Sequence, residues 1–189
     1  GLASQNPPWE MSLVKSADGL TVGMNELENM VEERTGLICL SHVAYKSSFM
    51  YDMTEVTQLA HEKDALILWD LSHSAGIVPI DLNASQVDMA IGCTYKYLNA
   101  GPGAPAFLYI RRDLQEQLQN PVQGWFGARD PFAFSTTYSP AKGLRKFLTG
   151  TPPILSLSAM QEALAIIREA GLDNIRKKSE KQSEYMAAL

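Results

Sequence analysis

Apolar and polar positions along this chain follow two periods in turn, and the switches between them set the expected elements. Leu37 to Val43 and Ala65 to Trp69 are apolar runs of strand length, the second ending at Asp70. Val87 to Cys93 and Ala104 to Ile110 read the same way, and Met11 to Lys15 is a weaker candidate. Helical segments lie between them. Asn25 and Glu28 form a capping-box pattern that predicts a helix to about Thr35, where Gly36 stops it. Asp52 and Glu55 repeat the pattern and predict a helix to about Lys63.

Strand-length runs alternating with helical segments predict an α/β fold, a mostly parallel sheet with flanking helices. Cys93 to Ala104 is too short for a helical crossover, so the last two strands are expected to be antiparallel. From Gln119 to Gly150 the periodicity lapses and Pro, Gly, Phe and Tyr gather, which predicts a long ordered loop. Pro152 and Pro153 then fit the first turn of a helix capped by Thr151, with Ile154, Leu155, Leu157, Met160, Leu164 and Ile167 on its apolar face. Gly171 breaks that helix, and Asp173 to Leu189 forms a more polar one.

Composition narrows the class. The 189 residues are 46% hydrophobic, enough for a sizeable core. A net charge of -5 without a basic stripe argues against nucleic acid as a partner, yet leaves room for a local anion site. Cys39 and Cys93 lie in apolar runs and are expected to be buried, reduced thiols. With no secretory leader pattern and no run of membrane-spanning length, a cytoplasmic protein with no membrane partner is expected. The chain starts at Gly1 and stops at Leu189 inside a helical pattern, as a piece of a longer protein would.

The chemistry concentrates in Cys93-Thr94-Tyr95-Lys96-Tyr97-Leu98-Asn99-Ala100-Gly101-Pro102-Gly103 and in Asp70-Leu71-Ser72-His73 upstream. A lysine in a turn between apolar runs, preceded by an aspartate ending another strand, is what holds pyridoxal phosphate. The amine makes a Schiff base and the aspartate pairs with the pyridinium nitrogen. Ligands of open α/β sheets gather beyond the carboxyl ends of the strands, where Ser41, Asp70 and His73 all fall. Each residue also has a plainer reading: Asp70 as a turn cap, Lys96 as a solvated loop lysine, His73 as a turn histidine, Tyr95 as a half-buried tyrosine. Thr151, read as a helix cap, sits where phosphate binds, and the Trp125 indole in Gly124-Trp125-Phe126-Gly127 could donate to phosphate or pack under its loop. His42 and His61 have no carboxylates or cysteines at ligand spacing, so no metal is expected.

Taken together, Asp70-Leu71-Ser72-His73, the lysine motif, Gly124-Trp125-Phe126-Gly127 and Thr151-Pro152-Pro153-Ile154-Leu155 resemble the kynureninase family in order and spacing. That resemblance implies the large domain of a fold type I, aspartate aminotransferase-like enzyme over residues 1–152, with residues 153–189 leading toward a C-terminal small domain. It implies Lys96 as the Schiff-base lysine, Asp70 on the ring nitrogen, and Ser41, His73 and Tyr95 lining the cofactor. Trp125 and Thr151 would reach the cofactor or substrate of a neighbouring subunit in a homodimer. The implied reaction is hydrolysis of L-kynurenine or its 3-hydroxy form to anthranilate or 3-hydroxyanthranilate plus L-alanine, in tryptophan breakdown or NAD synthesis. Lys96 serves there as base and Tyr95 as a proton relay. The alternatives are a cysteine desulfurase or selenocysteine lyase, where a histidine usually stands in the place of Tyr95, and a noncatalytic or catalytically incomplete domain. The family's upstream aromatic stack and its downstream arginine for the substrate carboxylate would lie beyond Gly1 and Leu189.

Overall fold

A computed structural model describes residues 9–189 of the chain. Its sheet runs β1 (Leu37–Ser41), β2 (Leu66–Asp70), β3 (Met89–Gly92) and β4 (Phe107–Ile110), in that spatial order. β1 pairs parallel with β2 and β2 with β3, whereas β3 and β4 are antiparallel, as the short connection requires. The expected α/β class and the antiparallel return both hold. Between β1 and β2 runs α2 (Met53–Glu62), capped by Asp52, whose side chain accepts from the Glu55 N–H.

Alternation along the strands explains the core. Ile67 and Trp69 share one face of β2 and are fully buried, with Ile38, Leu40 and Ala90 on the same side. Val56, Leu59 and Ala60 of α2 join them in one cluster. The Trp69 indole N–H donates to Thr57 Oγ1 on α2 at 3.1 Å, so the largest buried side chain carries no orphaned donor. The opposite face is unevenly covered among the described residues: Ile110 is buried there, whereas Ile91 and Leu108 are exposed. Cys39 belongs to that face and is exposed, which corrects the expectation of a buried thiol; Cys93 is half-buried and both are free. An apolar run does not say which of its two faces will be covered.

Several boundaries differ from expectation. No strand forms over residues 11–15, because alternation without a pairing partner leaves the ladder groups unused; Val14 instead packs against the core. α1 (Met24–Met30) begins after Gly23 and makes no side-chain cap bond. Asn25 therefore lies inside α1 and caps nothing, and the helix ends where Val31 donates back to Leu27 O. Buried Leu27 and Val31, four apart, set this register more strongly than the capping pattern does. α3 (Ile154–Ala170) follows Pro153 as its N-cap without a side-chain bond, so Thr151 is not the cap. The ring of Pro153 disfavours helical geometry at Pro152, which delays the helix past the expected start. Ile154 and Leu155 stay exposed, and Ala163 is the buried residue of α3. Gly171, at φ +76°, separates α3 from α4 (Leu172–Ala187). The 119–150 loop carries short 3-10 turns at Trp125–Gly127 and Gly143–Phe147 and an Ala128–Pro140 bridge.

Candidate active site

Parallel β1, β2 and β3 deliver their carboxyl ends to the same edge of the sheet, where the groups of interest collect. Ser41 is the register partner of Asp70, and the ladder continues beyond them as the His42 N–H donates to Asp70 O at 3.0 Å. The Asp70 side chain closes a turn: its Oδ1 accepts from the Ser72 N–H at 2.8 Å. The plain reading of Asp70 is thus true for one oxygen. Its Oδ2 makes no hydrogen bond or ion pair among the described residues and is available to a cationic ring nitrogen.

Beyond β3 the lysine loop is pinned at its base. Buried Thr94 donates through Oγ1 to Pro105 O at 2.6 Å and receives the Ala100 N–H on its own carbonyl at 3.0 Å. Asn99, left-handed at φ +57°, returns its N–H to Lys96 O at 2.9 Å, so Lys96 stands in a closed turn. The two loops also lock together. Ser72 Oγ accepts from the Cys93 N–H at 3.2 Å, and a Cβ on Gly76 would come within 2.6 Å of Tyr97 O. Only glycine, here at φ +95°, allows that approach.

Within this frame Lys96 Nζ meets His73 Nε2 at 2.9 Å. The Tyr95 ring lies 5.7 Å from the same amine, and Tyr95 itself is half exposed. Tyr45, beyond the end of β1, stacks on His73 with centroids 6.4 Å apart and planes inclined by 28°. Neither Tyr45 nor Ser72 stood out in the sequence. The signal available for Tyr45 was its place four residues past Ser41, at the same carboxyl edge; for Ser72 it was a hydroxyl within the Asp70 turn.

Trp125 and Thr151 are brought to each other's neighbourhood instead. Gly124 abuts Thr149, where a Cβ would come within 2.3 Å of its Cα, and the Phe126 N–H donates to Thr149 O at 3.3 Å. The segments carrying Trp125 and Thr151 therefore adjoin. Trp125 is packed edge-on to Phe126 and Phe132, and no hydrogen bond among the described residues ties it or Thr151 to Lys96.

A cleft of about 590 Å³ opens at the other end of the sheet, lined by His61, Asp88, Tyr109 and Arg111 among others. Its polar groups are already spoken for. The fully buried Asp88 accepts from the Ile67 N–H at 2.9 Å and meets His61 Nε2 at 3.0 Å. Arg111 Nη1 lies 2.7 Å from its other oxygen, outside hydrogen-bond angles but as an ion pair. A larger cavity, about 710 Å³, is lined by Trp125, Arg129 and Tyr138 among others, so volume does not single out this cleft.

His42 is buried with its ring edge-on to Trp69 at 5.7 Å and its Nδ1 unpartnered. Burial holds its pKa below the ordinary histidine value, partly opposed by the Tyr51 backbone and the Asp52 charge. It is a core histidine.

Comparison with known proteins identifies relatives of the chain. Kynureninase from Burkholderia mallei (strain SAVP1) is 42% identical over 164 residues, covering 87% of this chain and 39% of that protein. The chain thus spans about two-fifths of the length of the curated relative it matches. Among solved structures, the apo cysteine desulfurase from Thermococcus onnurineus NA1 superposes with a TM-score of 0.78 at 20% identity, over 94% of this chain and 43% of that one. C-DES with glycine covalently linked to its PLP cofactor gives 0.79 at 20% identity, over 92% and 46%. At such identities these two establish the fold alone. The family model described as Aminotransferase class-V matches residues 8–189, and the chain belongs to that family.

Proposed function

We propose that the protein carrying this chain is a pyridoxal-phosphate enzyme that hydrolyses L-kynurenine or 3-hydroxy-L-kynurenine to the corresponding anthranilate and L-alanine. The observation that carries the reading is the joined pair of loops that sets Lys96 beside His73 and leaves one Asp70 oxygen unbonded, within a sequence 42% identical to a kynureninase. The residues fit the group: an amine for its aldehyde, a carboxylate oxygen for its ring nitrogen, and a phenol donor for its phosphate. When bound, the cofactor supplies an electron sink for the carbanions formed at the substrate.

Each residue then has a task. Asp70, its Oδ1 fixed by the Ser72 N–H, would hold the ring nitrogen with its unbonded Oδ2. Lys96 would carry the covalent link and, once released from it, serve as the base for the α-proton. Tyr95, beside the amine, relays a proton; Ser41 and His73 border the cofactor. Trp125 and Thr151, on adjoining segments with no hydrogen bond to Lys96 among the described residues, would serve the site of a second subunit in a homodimer. A Tyr95→Phe enzyme is expected to lose turnover while retaining cofactor, and undiminished turnover would remove the relay.

Full-length protein assayed for alanine and anthranilate release from kynurenine tests the reading. Release of both products is expected. Turnover of cysteine without kynurenine activity would replace it with a desulfurase assignment, for which the solved neighbours argue at the level of fold only.

A further inference from the structure

We infer that His73, held by its stack on Tyr45, is the proton acceptor that readies Lys96 to capture the cofactor aldehyde. This rests on the pyridoxal-phosphate reading and adds to it a role in loading, distinct from bordering the bound ring.

The contact itself limits the protonation pattern. Lys96 Nζ and His73 Nε2 are 2.9 Å apart, a hydrogen-bond distance between two nitrogens, and two N–H groups cannot point at each other there. Whenever Lys96 is an ammonium it donates, and Nε2 then presents its lone pair with the imidazole proton on Nδ1. No carboxylate among the described residues lies within ion-pair distance of Lys96, whereas Asp88 has Arg111 and His61 around it. His73 is thus the one described base in hydrogen-bond contact with the amine.

Tyr45 supplies the constraint on the ring. At 6.4 Å and 28° the exposed Tyr45 ring stacks on the His73 ring, an arrangement that favours the orientation in which Nε2 meets Lys96. Both neighbours of His73 in the turn are anchored independently: Ser72 through Asp70 and Cys93, and Ser74 through its N–H to Leu71 O. The backbone is fixed, and the stack sets the side chain.

The capture step balances without any further reagent. Lys96 passes one ammonium proton to His73 Nε2, and the freed lone pair attacks the aldehyde carbon, forming the C–N bond. A proton moves from nitrogen to the former carbonyl oxygen. His73 then returns its proton to that oxygen, the C–O bond breaks, water leaves, and a protonated C=N link remains. His73 ends as it began.

The test follows capture rather than turnover. Cofactor-free full-length protein is mixed with pyridoxal phosphate at fixed pH, and the growth of the C=N absorbance band is timed, with borohydride trapping as a check. His73→Ala is expected to slow capture at least tenfold, and added imidazole is expected to recover part of the rate. Tyr45→Ala is expected to slow it severalfold, and Tyr45→Phe to restore it because the stack needs only the ring. Thermal unfolding of each variant confirms that the fold persists, and His73→Gln replaces His73→Ala if the latter does not fold. Capture at the unmutated rate in the His73 variant, or slowed capture that imidazole leaves unchanged, would overturn the inference. Tyr45→Phe as slow as Tyr45→Ala would overturn the stacking role. Failure of the unmutated protein to capture the cofactor at all would overturn the underlying reading and this inference with it.

Discussion

The two ends of the sheet carry the same residue types to opposite effect. At the amino end Asp88, His61 and Arg111 meet, and at the carboxyl edge Asp70, His73 and Lys96 gather. Asp88 is fully buried with both oxygens engaged, one by the Ile67 N–H and His61, the other by Arg111. Among the described residues Asp70 has one oxygen engaged, and the Lys96 amine has one hydrogen-bond partner. The first group consumes its polar capacity in joining α2, β2, β3 and the end of β4. The second leaves capacity unused. The proposed reactivity of the carboxyl edge rests on that unspent bonding capacity, since an aspartate, a histidine and a cation are present at both ends.

Substitutions that exchange the two behaviours test this contrast. Asp88→Ala strands His61, Arg111 and the Ile67 N–H together, and should lower the unfolding free energy of the protein by about 3–5 kcal/mol in urea titration. A loss below about 1 kcal/mol would mean that the amino-end network is not structural. Asp70→Asn should leave that free energy nearly unchanged yet cut turnover by about 10²–10³-fold, because it removes a charge where a preorganised one matters. Equal losses of stability in the two variants would erase the distinction between the ends.

Smaller effects sharpen it. Ser72→Ala removes the acceptor of the Cys93 N–H and should cost about 1 kcal/mol, read as roughly fivefold weaker cofactor binding. Unchanged binding would show that Gly76 and Thr94 alone hold the loops together. The least effect belongs to His42, whose burial keeps it neutral when folded. The unfolded chain binds the extra proton, so stability is full above the ordinary histidine value near 6.5 and falls as pH drops from there toward the lowered folded value. His42→Leu should flatten the dependence of Tm on pH across that window; an unaltered slope would place the titration elsewhere.

How much of this was legible in the sequence follows the range of the forces involved. The Asp70 and Lys96 positions could be read because strand ends are marked locally, by apolar runs that stop at a polar turn. The antiparallel return of β4 could be read because chain length forbids the alternative. The cap of α2 was legible since Asp52 and its acceptor role are local to one turn. Failures arose where a nonlocal or competing constraint ruled. Tertiary burial of Leu27 and Val31 set the start of α1 against the Asn25 pattern, and the proline ring at Pro153 displaced Thr151 from its cap. Cys39 is exposed because no described residue covers its part of the second sheet face. Tyr45 and Ser72 act across segments far apart in the chain, and no local pattern announces such contacts.

The assignment of the reserved end as the reactive one is tested most directly by borohydride reduction of the full-length protein with pyridoxal phosphate, followed by peptide mapping. The expected result is one stoichiometric label on Lys96, lost in Lys96→Ala. A stoichiometric label on any other lysine, with Lys96 unmodified, would contradict it.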